Sequence, residues 1–434
     1  MDFSKQQDRW DLDRGIVAFG GADVVMETPE TRGLHFRGST DYVHVQRWFD
    51  MAREAHSKTG FVDRIRSIDM TVGNLHMLGQ HLVDHRVRLD RSARDWLIQV
   101  DGKDIIGSAF VPYDLNSERA IVVEAERLVL PGDALDTSES SAKIDPRNLP
   151  SISITSKETA FGSRFFGAVE ANFVRTADGL ESEQIIARDE TFEIVGNGKW
   201  IIDETDPEGH RSYITATLTS TDVKKTMRRL DYQPGIIGND LSLLLDLSWS
   251  GGPRDDMLEW LDGEVKLRIG EGQLEEVKPG AGRVFGLLSV AALPRRLSLD
   301  FRDVFGKGFG FDKIQGTFTL VDGDTYTCDL SLESPAADIG VVGRAGLVAR
   351  DYEQTAVVSA SFGNALPVAG ALVAGPQVAA ALLIFSQIFK KPLQEVSQVY
   401  YGVGGSWDEP IIESATPEIF ALSGTMAGCI EDDE

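Results

Sequence analysis

Apolar and polar residues alternate with a period of two in many short runs, separated by Gly, Asp-Gly, Asn or Pro. Only an extended strand turns successive side chains to opposite faces, so this pattern confines the chain to a mainly β fold. Clear runs are Leu149 to Thr155, Leu241 to Trp249, Glu264 to Ile269 and Arg296 to Arg302. In the last, Leu297, Leu299 and Phe301 share one face and the charged residues the other. From Ile314 to Leu332 the unit is an amphipathic hairpin. Ile314, Gly316, Phe318 and Leu320 alternate, Asp322-Gly323 supplies the turn, and Tyr326, Cys328, Leu330 and Leu332 alternate again. A similar template runs from Gly167 to Val174, through Asp178-Gly179, to Phe192–Gly196, which reads as a weak internal repeat of antiparallel meander units.

Helices are expected to be few and to mark joints. Ser39-Thr40-Asp41 reads as an N-cap for a helix over Val43 to Ala55, and others are expected over Asp222 to Leu230, Asp255 to Asp262 and Arg283 to Leu293. The acidic, serine-containing stretch from Pro131 to Pro146 is the best linker candidate. The expected organisation is a first β segment at 1–130, a linker at 131–147, a continuing β segment at 148–362, a helical cap with a last strand at 363–412, and a polar tail at 413–434.

Composition excludes several functions. A formal charge of −25 repels phosphate backbones, so nucleic acid is not an expected partner. The same sign disfavours flat adsorption on anionic headgroups. Two cysteines, Cys328 and Cys429, give no disulfide framework. Residues 1–10 lack the basic and apolar regions of a signal peptide, so the chain reads literally as soluble and cytosolic, or as a piece of a longer protein.

No catalytic centre, metal or cofactor is expected. His76, His81, Asp84 and His85 are the best metal-like cluster, but His81 is followed by Leu82 where a zinc-protease helix needs Glu, and the alternation there favours a strand. Gly306 to Phe311 resembles a phosphate loop only superficially, since no helix follows, and reads as a turn between strands.

Ala365 to Phe389 is the least polar stretch, interrupted by Pro367 and Pro376. Its uninterrupted part, Gln377 to Phe389, reaches only about 20 Å as a helix, short of a bilayer core of about 30 Å. Leu382, Leu383, Ile384, Phe385, Ile388 and Phe389 are therefore expected either to cap a groove or to make a shallow membrane contact.

Distinctive phrases follow from Gly282 onward: Gly282 to Ser289, Leu293 to Phe305, Gly308 to Asp312, Gly343 to Leu347, Arg350-Asp351-Tyr352, Leu366 to Ala371 and Gly405 to Pro410. They resemble the C-terminal region of the YhdP family of AsmA-like proteins. Earlier phrases, Ile68 to Val72 and Gly196 to Trp200, are similar in pattern. The resemblance implies a long, curved antiparallel sheet folded into an open apolar groove that carries phospholipids between inner and outer membranes in the periplasm. It also implies support of outer-membrane lipid homeostasis, outer-membrane contact through the C-terminal helix, and inner-membrane anchoring only through an N-terminal part not in this chain.

Under that reading the groove lining is expected to be Ile152, Ile154, Leu243, Leu245, Leu247, Val265, Leu267, Ile269, Leu297, Leu299, Phe301, Phe318, Leu320, Leu330 and Leu332. Alternation fits equally a closed sandwich in which such faces meet each other. A structural β-rich scaffold or assembly factor of the outer membrane is the alternative function.

Overall fold

The structure, a computed structural model, describes residues 2–6, 9–20, 29–45, 64–77, 80–132, 145–253, 255–275, 309–360 and 397–415. Two compact units divide the chain, Met1–Asp189 and Glu190–Glu434.

In the first unit, strands follow one another across a sheet: β1 (Asp2–Gln6), β2 (Arg9–Phe19), β3 (Gly33–His44), β4 (Ile65–Met77), β5 (Gln80–Arg91), β6 (Asp95–Asp101), β7 (Ile105–Pro112), β8 (Ile121–Leu130), β9 (Ile152–Phe161), β10 (Arg164–Arg175) and β11 (Gly179–Arg188). From β4 to β8 each strand pairs antiparallel with the next, as tight connections require. The expected antiparallel order is not universal. β2–β3, β3–β4 and β8–β9 are parallel, and each follows a long connection that returns the chain to its starting side. The stretch expected as a linker makes the last of these returns. It closes on a single 3-10 turn, Pro146–Asn148, capped by Asp145, whose side chain accepts from the Arg147 amide.

The second unit builds β12 (Phe192–Ile202), β13 (His210–Ser220), β15 (Leu241–Ser250), β16 (Asp262–Ile269), β19 (Lys313–Val321), β20 (Asp324–Glu333), β21 (Ala337–Gly346), β22 (Asp351–Ala360), β23 (Ser397–Gly405) and β24 (Pro410–Ala415) into one antiparallel ladder. A three-stranded sheet of β14 (Ile236–Gly238), β17 (Gly272–Leu274) and β18 (Phe309–Phe311) lies beside it. Helix α1 (Val223–Arg229) starts where expected, with Asp222 accepting from the Lys225 amide at 3.0 Å, and buries Val223 and Met227 in the same core as Ile236, Leu274, Phe309 and Phe311. Accepting that amide holds the Asp222 carboxyl below its ordinary range.

Several expectations need correction. Val43 and His44 continue β3, because Val43 pairs with Leu75 and His44 with His76 on β4, and helical geometry begins at Val45, two residues later than expected. Cross-strand pairing overrides the N-cap-like Ser39-Thr40-Asp41; residues 46–55 lie outside the described residues. The expected helix at 255–262 is a 3-10 helix, Asp255–Trp260, and Asp262 already begins β16.

The third correction concerns the hairpin of β19 and β20. Its turn is as expected, with Asp322 and Gly323 at φ of 48° and 75°, the left-handed pair of a type I′ turn. Between Thr327 and Leu330, however, β20 carries a bulge, so the face occupied by Phe318 and Leu320 continues through Thr325 and Thr327 and then Leu330 and Leu332. Tyr326 thereby turns outward with Thr319, away from Leu330 and Leu332, and Cys328 falls within the bulge. Asp329 braces the kink, accepting from the Thr317 amide at 2.6 Å and from its hydroxyl at 2.9 Å. Cys328 is disulfide-bonded, which its isolation in the sequence did not indicate. The expected helix at 283–293 and the apolar segment 365–389 lie outside the described residues.

Candidate functional site

Strand register in the first unit sets side chains from neighbouring strands directly opposite one another. Val17, Phe36, Ile68, Leu89, Ile98, Ala109, Val123, Ile154, Ala171 and Ile185 form one unbroken apolar row from β2 to β11. At about 4.8 Å per strand, that row is about 43 Å long. A second row beside it runs through Met70, Val87, Val100, Gly107 and Ala125. The opposite face is polar, with Asp69, Arg88, Gln99, Ser108, Glu124 and Thr155 in register. Arg86 grips Asp69 with two 2.8 Å hydrogen bonds and holds that carboxyl below its ordinary range.

The degree of burial along the row matters most. Val72, Leu75, Leu82 and Ile105 form one buried cluster, and Leu34, Phe36 and Ile65 another. Ile68, Leu89, Ile98, Ala109, Val123 and Ile154 are only half-buried. In a sandwich, a facing sheet would bury such a row completely.

The second unit grades from half-buried to sealed. Leu243, Leu245 and Leu247 on β15 and Leu267 on β16 are half-buried, whereas Val265, Ile269, Phe318, Leu320, Leu330 and Leu332 are buried in the core. Leu245 opposes Val265, and Val265 opposes Phe318, so the expected lining residues of this unit do share a face. Strands β21 and β22 are buried on both faces, since Ile339 and Val341 on one side and Val342 and Val357 on the other are all sealed. This explains the unbroken run Ile339-Gly340-Val341-Val342, which alternation would not produce. Of the remaining expected residues, Ile152 and Ile154 lie half-buried on β9 in the first unit. Leu297, Leu299, Phe301, Leu382, Leu383, Ile384, Phe385, Ile388 and Phe389 lie outside the described residues.

The apolar face of the second unit carries a polar island on β20 and β22. Thr325 opposes Leu320 and Ala345, Thr327 opposes Phe318 and Gly343, and Gln354 opposes Gly343 and Val403. Thr325 and Gln354 are buried, yet the Thr325 hydroxyl and the Gln354 side-chain oxygen have no hydrogen-bond partner. Each such orphan costs about 1–3 kcal/mol. On the same face Tyr352 opposes Ala345, and burial pushes its phenol up.

The described histidines of the first unit sit on its strands. His81 and His85 lie on β5, a strand as the alternation suggested. His85 is fully buried, and its Nε2 accepts from the Ile105 amide at 3.3 Å. The His76 and His81 rings meet at 4.6 Å, with the Asn74 amide oxygen 3.0 Å from His81 Nε2. His35, which sequence reasoning missed, is buried against Ser67 at 2.7 Å, and desolvation lowers its pKa. Among the described residues, no group of His, Cys, Asp and Glu is arranged to hold a metal, and no helix is long and apolar enough to cross a membrane. The chemistry available on these faces is the sheltering of hydrocarbon.

Comparison with known proteins bears on the role of these faces. The sequence profile described as YhdP protein matches residues 1–412. A relative from Escherichia coli strain K12, the intermembrane phospholipid transporter YhdP, is 28% identical over 284 residues, which is 65% of this chain and 22% of the relative. The match therefore spans about a fifth of that relative's length. No solved structure matches.

Proposed function

The chain belongs to the YhdP family, and from that premise we propose that it is a segment of an envelope-spanning phospholipid carrier whose sheet faces shelter acyl chains between two membranes. The observation that carries this reading is the half-buried apolar row of the first unit, paired strand to strand from Val17 to Ile185. A chain of about 16 methylenes loses on the order of 12 kcal/mol when moved into water, at about 0.8 kcal/mol per CH₂. An apolar face removes most of that penalty. Because hydrophobic contact is non-directional, successive strands offer near-equal positions and the lipid can slide.

Within the second unit, Leu243, Leu245, Leu247 and Leu267 form a half-buried apolar surface of their own, and the buried set from Val265 to Leu332 acts as the floor on which they rest. Ile152 and Ile154 serve the first unit, while Leu297, Leu299 and Phe301 belong to the same proposed lining. The apolar residues Leu382 to Phe389 serve as cap or outer-membrane contact. The cell envelope is the compartment such a cargo requires, and outer-membrane lipid balance the process it serves.

A photo-crosslinking amino acid at Ile98 tests the proposal, with Phe110, 39% exposed on the opposite face, as the control position. Purified protein should yield a phospholipid adduct at position 98 and none at 110. A protein that purifies without phospholipid and gives no adduct at 98 would favour a lipid-free scaffold instead.

A further inference from the structure

We infer that the polar island on the second unit's apolar face, Thr325, Thr327 and Gln354 around Gly343, binds the ester carbonyl groups of a diacyl lipid and so fixes a register for a cargo that elsewhere slides. This inference rests on the lipid-carrying reading and adds a specific stop to it.

Three independent observations converge. Thr325 is 2% exposed and Gln354 5% exposed, and neither the Thr325 hydroxyl nor the Gln354 side-chain oxygen is partnered within the protein. Buried polar groups in folded proteins are nearly always satisfied, and the exceptions call for a ligand or a function. Secondly, Gly343 stands between Thr327 and Gln354 in register and places no side chain of its own between them. At its φ of 127° a side chain would be strained, and a Cβ would lie 2.5 Å from the Glu353 carbonyl oxygen. Thirdly, the β20 bulge is what turns both threonines onto the apolar face. Under strict alternation Thr325 and Thr327 would face away from Leu330 and Leu332. The chain thus departs from regular pairing at the place that puts polar groups among hydrocarbon.

The recognised group is neutral. Arg344, next to Gly343 along β21, is engaged by Asp324 at 2.8 Å and Asp351 at 3.1 Å, and adjacent strand residues point to opposite faces. No charge therefore meets a phosphate or an amine at the island. A threonine hydroxyl donates to a carbonyl oxygen, and the Gln354 carboxamide, turned end for end, presents its N–H in the same direction. An ester carbonyl lies where the acyl chain meets the glycerol, so its capture leaves the hydrocarbon on the neighbouring apolar face.

The test offers the whole chain liposomes of diacyl phosphatidylethanolamine mixed equally with its dialkyl ether analogue, which lacks only the carbonyl oxygens. The ratio of the two lipids bound is read by mass spectrometry. Wild type should prefer the diacyl form by about fivefold or more, the value of one well-made hydrogen bond. The double variant Thr325→Val, Gln354→Leu should fall to near parity, with a melting midpoint no lower than wild type, because orphaned polar groups are removed. Equal binding of both lipids by wild type, or an undiminished preference in the double variant, overturns the ester site while leaving lipid carriage standing. Binding of neither lipid by wild type overturns both.

Discussion

Replacing Ile98 by Glu asks whether the apolar row of the first unit is a path for lipid or an ordinary core. Ile98 sits between Leu89 and Ala109 in register and is half-buried. Full burial of an isoleucine stabilises by about 1.5–3 kcal/mol, and since Ile98 is only partly sealed from water, its loss costs the fold about 1–2 kcal/mol. For a unit of this size that is a fall of about 2–8 °C in Tm. The effect on lipid is larger, because each acyl chain crossing position 98 must strip water from a carboxylate. A barrier raised by about 3 kcal/mol slows passage about a hundredfold. Differential scanning calorimetry and the rate at which the protein takes fluorescent phospholipid from liposomes measure the two effects together. A fall in Tm of more than about 10 °C would mean that the row is sealed inside a closed core. Uptake at the wild-type rate by a folded variant would mean that lipid does not travel along it.

Leu330, 0% exposed in the second unit's core, should behave oppositely: Leu330→Ala should lose about 2–5 kcal/mol in urea unfolding, and a loss below about 1 kcal/mol would contradict tight packing there. His35 gives the first unit a pH dependence of known sign. Its pKa is lowered from 6.5 in the fold, so below that value the unfolded chain takes up a proton that the folded unit resists, and stability drops as the pH is lowered. Urea midpoints at pH 7.5 and 5.5 should therefore differ more in wild type than in His35→Gln, and equal differences would refute that assignment.

Where one face was apolar and the strand unkinked, the sequence was legible. Leu241 to Ser250, Asp262 to Ile269 and Lys313 to Val321 form strands whose inward residues follow the alternation, and Asp222 caps its helix as its chemistry demands. Legibility failed where a distant partner decided the outcome. Val43 looked helical until Leu75 paired with it, and the bulge after Thr327 left no local mark, since Tyr326-Thr327-Cys328 alternates acceptably in either phase. The long row of the first unit was overlooked because each strand adds only two or three apolar residues among arginines and aspartates. Ile68-Asp69-Met70 and Val87-Arg88-Leu89 did carry the signal. The sealed pair β21 and β22 hid for the opposite reason, being apolar on both faces.

The three parallel joints of the first unit also set an order of folding. Antiparallel neighbours such as β19 and β20, or β4 and β5, close over a few residues and form within microseconds. β9 can dock on β8 only after the intervening chain has doubled back, and the loop closed by β3 and β4 spans 45–64. Such contacts pay their loop entropy before they gain pairing, so they come late. A chain made from its N-terminus would hold the β4–β8 meander early while its flanks wait, leaving the edges of β4 and β8 unpaired for that interval and open to association with other chains.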